Sequence, residues 1–397
     1  MVSDLAGGTL TAQGAPLVVV HNGRRDEYQV ALALQEAGRL AALVTDYYSK
    51  FGLVSRRCNR ALRTHAVHNT WKPAAVQLSW RIRGLLRARS GPIDWSGVEA
   101  ALASRAHELA VANDAGVLAY SGLARSAFPG IAGQRALFVF HPMPGLIREV
   151  LGRDAEQWGL ADRILERERD FFDRDAEEMS RLEVRMASRI LVASSFSRRS
   201  VHEATDRVTA GIAVVPYGCP PVAPTVRRGD GAPRFLFVGQ GVQRKGLHHL
   251  AAVWPMVSAR HPAAELTLVM GVVDPDLDLG GLRGRSVITS RVSQTELDEL
   301  MDSHDVLVLP SLVEGFGLVI TEALAHGMHV VATDHTGLVD LPRHPGAGTV
   351  VTPGSREELS AALLELIEGD GPDPEASYAT AADYQWSDYR AAVRSAL

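Results

Sequence analysis

Ten short apolar runs, most of them rich in valine, recur along this chain of 397 residues with helix-like segments between them. They are PLVVVH (16–21), ALFVFH (136–141), RILVAS (189–194), IAVVPYG (212–218), FLFVGQ (235–240), LTLVMG (266–271), SVITS (286–290), VLVLPS (306–311), HVVATD (329–334) and GTVVT (348–352). Runs this short and apolar on both faces fit strands buried inside a parallel sheet. Alternation with helices predicts doubly wound α/β sheets. The length suits two domains. The stretch YGCPPVAPTVRRGDGAP (217–233) combines four prolines, three glycines and a charge cluster, which marks a linker. The expected organisation is an N-terminal domain over 1–216, a linker, and a second α/β domain over 234–383. The last segment, 384–397, reads as an amphipathic helix.

Composition excludes several classes. Hydrophobic residues make up 46% and charged residues 22%, as in a soluble globular enzyme. A formal net charge of -5 argues against nucleic acid as a partner. The two cysteines, Cys58 and Cys219, form no metal-ligand spacing and no disulfide framework. No apolar run approaches the roughly 20 residues of a bilayer span, and the N-terminus has no signal-peptide pattern. The expected location is the cytoplasm. One stretch stands apart: residues 50–89 hold ten Lys or Arg and no Asp or Glu. It reads either as a solvated face with snorkelling arginines or as a surface for an anionic acceptor or for transient contact with the inner membrane face.

The segment LPSLVEGFGLVITEALAHG (309–327) carries Glu314 and Glu322 on either side of a glycine turn and a helix start. Ligands of open α/β sheets sit beyond the carboxyl ends of strands, and Glu314 falls just past one. The first N–H groups of a helix are unpaired and favour anions, and Gly315 and Gly317 let a ligand approach that backbone. A carboxylate beside a phosphate site is better suited to a diol. Diphosphate, ribose diol and sugar hydroxyls together describe a nucleotide sugar. The plainer alternative is a carboxylate stabilising a helix start plus a solvent-facing glutamate. A second loop, FLFVGQGVQRKGLHHL (235–250), places Arg244 and Lys245 at a helix start without the spacing of a Walker loop or a dinucleotide fingerprint. Cations there oppose the helix dipole unless an anion is present. The acidic run DPDLD (274–278) reads as solvated surface.

These segments resemble the C-terminal domain of glycosyltransferase family 4, the retaining GT-B enzymes. The resemblance rests on VGQGVQRKG, SRVSQTELDELMDSHDVLVLPS, EGFGLVITEALAHG and VVATDHTG, is strong from about 190 to 370, and continues more weakly through VTDYY, FVFHPMPGLIREV, AEEMSRLEVRMASRILVASSFSRRSV and VVPYG. It implies two facing Rossmann-like domains with the active site in the cleft and a final helix crossing back to the first domain. Position by position, it implies that Arg244 and Lys245 bind the donor diphosphate. The backbone of Gly315, Phe316, Gly317 and Leu318 would meet phosphate and sugar. Glu314 would touch the donor sugar, Glu322 the ribose, and the loop at Arg291 and Val292 the base. His141 would face the donor sugar. Two departures stand out. Gln240 replaces an arginine common in the family, and the Gly-Gly loop after the first strand is HNGRRDEYQ, which leaves Gly23 for the phosphate and brings Arg24 and Arg25 toward the acceptor or the diphosphate.

The resulting expectation is a retaining, metal-independent transfer from a UDP- or GDP-sugar to a glycan, lipid-linked or small-molecule acceptor, with no cofactor besides the donor. Arg244, Lys245 and the helix start would stabilise the leaving diphosphate. The competing expectation is a GT-B partner subunit without catalysis, suggested by the altered glycine loop.

Overall fold

A computed structural model of the chain describes residues 14–46, 48, 59, 61–63, 66–69, 96–160, 168, 174–205, 210–222, 224, 231–282, 286–289 and 292–397. Arg291, expected beside the base, lies outside the described residues, as do Cys58 and most of the basic stretch 50–89.

The valine-rich runs form two parallel sheets. The first contains β1 (Leu17–His21), β2 (Leu40–Thr45), β3 (Val67–Asn69), β4 (Gly116–Tyr120), β5 (Arg135–Val139), β6 (Arg189–Val192) and β7 (Gly211–Val214). Its order is β3-β2-β1-β4-β5-β6-β7. The second contains β8 (Arg234–Gly241), β9 (Glu265–Val273), β10 (Ser286–Thr289), β11 (Val306–Leu309), β12 (His329–Thr333) and β13 (Gly348–Val351), in the order β10-β9-β8-β11-β12-β13. Both sheets are doubly wound, and in each the order reverses at one point: between β1 and β4, and between β8 and β11. Ligand crevices form at such points, outside the carboxyl ends of the strands.

Six helices frame the cleft and its approaches: α1 (Gln29–Glu36), α2 (Pro144–Trp158), α3 (Ser195–Ala204), α4 (Leu247–Arg260), α5 (Leu318–Ala325) and α6 (Trp386–Ala396). Pro144 starts α2, where its missing N–H costs no helical bond. The Ser194 hydroxyl caps α3 by accepting from the Ser197 amide. The chain crosses between sheets twice, and the crossings run side by side: the Cys219 amide donates to the Tyr384 carbonyl (2.8 Å) and the Trp386 amide to the Cys219 carbonyl (3.3 Å). Beyond the return crossing, α6 lies on α1. Tyr389 Oη donates to Asp26 Oδ2 (3.2 Å), and Arg394 pairs with Glu36 (2.6 Å). Among the described residues, no helix is long and apolar enough to cross a membrane.

The domains meet through apolar packing. Leu312 and Val313, just past β11, cluster with Leu146, Ile147 and Leu151 of α2 and Phe196 of α3. Burial of a handful of such side chains contributes about 1.5–3 kcal/mol each, so the closed arrangement has an apolar anchor beside the cleft.

Candidate active site

Two glycines allow the loops at the carboxyl edges to close on each other. A Cβ on Gly246 would lie 1.9 Å from the Pro310 carbonyl oxygen, so the β8 and β11 loops can touch only with glycine there. The Arg244 carbonyl then accepts from the amides of Leu312 (2.9 Å) and Val313 (3.1 Å). A Cβ on Gly315 would meet the Phe140 carbonyl oxygen at 2.1 Å. The Gly315 carbonyl accepts from the hydroxyls of Ser194 (2.7 Å) and Ser197 (3.2 Å). Gly315 is thus glycine because the opposite domain packs on it. This replaces the reading of that position as a gap for ligand.

This closure gathers four of the residues singled out in the sequence. Lys245 makes an ion pair with Glu314, which is buried. Burial alone would raise the Glu314 carboxyl, but Lys245, with Arg244 and His141, holds it below the usual carboxylate range. His141 follows β5 on the facing domain. Burial, with Arg244, Arg25 and Lys245 nearby and Glu314 opposing them, pushes its imidazole down to about 4, so it is neutral near pH 7. Arg244 donates to Gln240 Oε1 (2.8 Å) and faces Glu168 at 3.7 Å. Gln240, where the family pattern has a cation, holds the neighbouring cation in place. Glu168 carries no motif that would have pointed to it.

The rest of the expected site divides. Gly317 heads α5, and Leu318 and Glu322 line a cavity of about 500 Å³ shared with Arg24, Glu27, Asp298 and Trp386. Burial, with Glu27 and Asp298 close by and Arg24 opposing, raises the Glu322 carboxyl to about 7. The side chain of Phe316 points into the core against Tyr217, so only its backbone remains for a ligand. Val292 packs at the edge of the same core. The Gly23 amide donates to Asp46 Oδ1 (3.1 Å), which occupies the group expected to meet phosphate. Arg24 pairs with Glu27 (2.6 Å), and the Arg25 guanidinium lies 4.0 Å over the Phe140 ring. The turn carrying them is strained: Asp26, Glu27 and Tyr28 have φ of 34°, 52° and 65°. Such conformations cost about 1–3 kcal/mol each and persist where the surroundings enforce them. Here Asp26 is buried and held by the Val30 amide (2.9 Å) and Tyr389.

A second polar contact joins the domains and was not expected from the sequence. Asp154 of α2 accepts from Gln243 Nε2 (2.7 Å), His248 Nε2 (3.0 Å) and His249 Nε2 (2.7 Å) of the other domain. All four residues are buried. Burial opposes the charge on Asp154, but the hydrogen bonds from His248, His249 and Gln243 outweigh it and hold the carboxyl well below its usual range. An ionised carboxylate only accepts, so both imidazoles present Nε2–H to it. Among the described residues this is also the one His/Asp cluster with the spacing to hold a metal ion. In DPDLD, Asp274 is buried and accepts from the Asp276 amide (2.9 Å), so it closes a turn and is not solvated surface.

Comparison with known proteins bears on this geometry. Residues 232–369 match the family model described as Glycosyl transferases group 1. An uncharacterised glycosyltransferase of Methanocaldococcus jannaschii is 33% identical over 146 residues, which is 36% of this chain and 37% of that protein. The phosphatidyl-myo-inositol mannosyltransferase of Mycolicibacterium smegmatis is 34% identical over 150 residues, covering 36% of this chain and 39% of that protein. The matched stretches therefore span about two fifths of these relatives' lengths. Among solved structures, Anabaena HepE in complex with UDP and glucose superposes with a TM-score of 0.62 at 15% identity, over 96% of this chain and 98% of that one. Sucrose-phosphate synthase from Thermosynechococcus elongatus does so with 0.61 at 16% identity, over 96% and 94%. Residues 232–369 are thus similar to the Glycosyl transferases group 1 family, and the whole chain shares the GT-B fold of these solved structures.

Proposed function

We propose that the chain transfers a sugar, with retention and without a metal ion, from a nucleotide-diphosphate sugar to an acceptor hydroxyl. The observation that carries this reading is the Lys245–Glu314 pair at the end of β11, facing the neutral His141 across the cleft. The donor diphosphate binds at the start of α5 beside Lys245 and Arg244, which offset the charge that grows on the leaving group. Glu314, released from Lys245 as phosphate arrives, accepts from hydroxyls of the donor sugar. Glu322 accepts from the ribose. His141, uncharged, hydrogen-bonds the sugar without repelling an oxocarbenium-like centre. The base meets the loop at Val292, and the acceptor enters from the first domain. HepE, whose structures hold UDP and UDP-glucose, makes a UDP-sugar the first donor to try, with a GDP-sugar next.

The test is a thermal-shift panel with UDP-, GDP-, ADP- and dTDP-sugars, followed by assay of nucleoside diphosphate release with candidate acceptors. A ligand at 100 times its Kd adds roughly 2.7 kcal/mol. One nucleotide should stabilise the chain, and Glu322→Ala should abolish the shift. Turnover should continue in excess chelator, and the anomeric configuration of the product, read by NMR, should match the donor. Absence of a shift with every donor, with and without acceptor, rejects the reading.

A further inference from the structure

Two consecutive histidines reach the same oxygen in the interdomain contact at Asp154. His248 and His249 lie in the first turn of α4, and neighbours on a helix ordinarily point in different directions. Here both converge on one carboxylate of the facing domain. Asp154 Oδ1 lies 3.3 Å from His248 Nε2 and 2.7 Å from His249 Nε2, while Oδ2 accepts from Gln243 Nε2 at 2.7 Å. The imidazole centroids are 4.2 Å apart, and the Trp158 ring meets both edge to face, at 5.2 and 4.9 Å. The histidine side chains are 2% exposed and that of Asp154 5%.

This arrangement has the geometry of a metal site. Each of the three residues offers a ligand atom, and these atoms lie within 4.8 Å of one another. Bonds of about 2.0–2.1 Å to a tetrahedral ion put neighbouring ligands about 3.3 Å apart. The Oδ1–His248 edge already fits, and the Oδ1–His249 edge has to widen by about half an ångström. The outer partners suit an ion as well. Ligating carboxylates are themselves hydrogen-bonded, and Gln243 keeps its bond to Oδ2. A neutral imidazole carries one proton. Moving it from Nε2 to Nδ1 frees the Nε2 lone pair for the ion with no change in proton count. Nδ1 of both rings is buried without a hydrogen-bond partner, so the shift breaks no bond there. Gln243 Oε1, also buried without a partner, can fill the fourth position in place of water.

We propose that Asp154, His248 and His249 bind a transition-metal dication of the zinc class, which staples α2 of the first domain to α4 of the second. Two imidazoles and a carboxylate favour zinc over magnesium or calcium, which prefer shells of oxygen. A dication gives the buried carboxylate a full counter-charge, which neutral N–H donors do not. The site is closed by its own ligands and by Trp158, so the ion is structural and takes no part in sugar transfer. The inference does not rest on the glycosyl-transfer reading.

The experiment takes the full-length chain, free of any affinity tag and stripped with chelator, and titrates it calorimetrically with Zn2+, Co2+ and Mg2+. Zn2+ and Co2+ should each bind at one equivalent per chain, and Mg2+ should not. Saturating Zn2+ should raise the Tm by a few degrees. His249→Gln keeps a donor toward Asp154 but loses a ligand. It should weaken Zn2+ by about a hundredfold or more, beyond what loss of an outer partner costs, and remove the Tm shift. His248→Gln should do the same. X-ray absorption at the zinc edge of the loaded wild type should show two imidazole nitrogens at about 2.0–2.1 Å, a result that needs no variant to fold. The proposal is overturned if wild type takes up less than one equivalent of Zn2+, if its Tm does not rise, if both glutamine variants bind Zn2+ as tightly as wild type, or if absorption shows fewer than two imidazoles. A failure to bind any nucleotide sugar would count against the wider reading and leave these results as they stand.

Discussion

At the contact of Asp154 with Gln243, His248 and His249, one carboxylate takes three N–H donors from the opposite domain, and the charge is satisfied within the protein. A few residues away, the cleft gathers Arg25, Arg244 and Lys245 near the two carboxylates Glu314 and Glu168, and among the described residues Arg25 makes no ion pair with either. Both contacts bridge the same two domains. The turn Gln243–Lys245 belongs to both, since Gln243 grips Asp154 while Arg244 and Lys245 face the cleft. The difference separates holding from binding. A buried charge whose partners are all internal fixes geometry, whereas a surplus of one sign in a cleft is balanced by a ligand.

Removing Asp154 tests that contrast most severely. Asp154→Ala leaves three buried donors without an acceptor and should lower stability by about 3–5 kcal/mol, the cost of breaking a buried charged contact. Urea unfolding measures it, and sugar transfer per folded molecule should change little. Equal loss of transfer in fully folded protein would place Asp154 in the chemistry instead. The converse substitution, Lys245→Met, should slow transfer by about 10²–10³, or 2.7–4 kcal/mol, as loss of a charge stabiliser does. Single-turnover rates at saturating donor read this; a defect seen only in KM would reduce Lys245 to a binding group.

The pH dependence sharpens the comparison further. Glu322 titrates near 7 in the ligand-free protein, and only its ionised form accepts both hydroxyls of a diol. Nucleotide affinity should therefore rise between pH 6 and 8, by up to about tenfold per unit below the pKa, and Glu322→Gln should flatten the profile. For stability the sign is opposite. A carboxyl whose pKa is raised on folding contributes stability below its unfolded pKa and loses it as pH rises through about 7. The smallest effect concerns the turn that carries Arg25. Tyr389→Phe removes one hydrogen bond to Asp26 and should cost about 1 kcal/mol in urea unfolding. An unchanged stability would show that Tyr28 and Val30 hold the turn without help from α6.

Much of the fold was legible because buried parallel strands carry a strong local signal. The apolar runs at 16–21, 235–240 and 306–311 coincide with β1, β8 and β11, the strands at the two reversals. β2 and β4 escaped, since LAALVT and GVLAY mix alanine with few branched residues and read as readily as helix. β3, with three residues, is too short for any period. The structure brings together Glu314, Arg244, Lys245 and His141, the first three singled out because each lies just past a strand end and the last by the resemblance. Glu168, Asp154, His248 and His249 were not singled out, because no spacing links Asp154 on α2, or Glu168 beyond it, to partners in the other domain far along the chain.

The sequence by itself determined where strands begin and end, where glycines permit tight approaches, and which charged residues sit at carboxyl edges. Those properties depend on side-chain period and backbone freedom within a few residues. Only the tertiary structure decided which charge meets which. Lys245 finds Glu314 because β8 and β11 are neighbours in the sheet, and Gly315 needs its missing side chain because Phe140 arrives from the other domain. Arg25 lies over Phe140 because the turn after β1 meets the end of β5. Pairing of this kind depends on sheet order and domain closure, and neither is encoded in any local stretch.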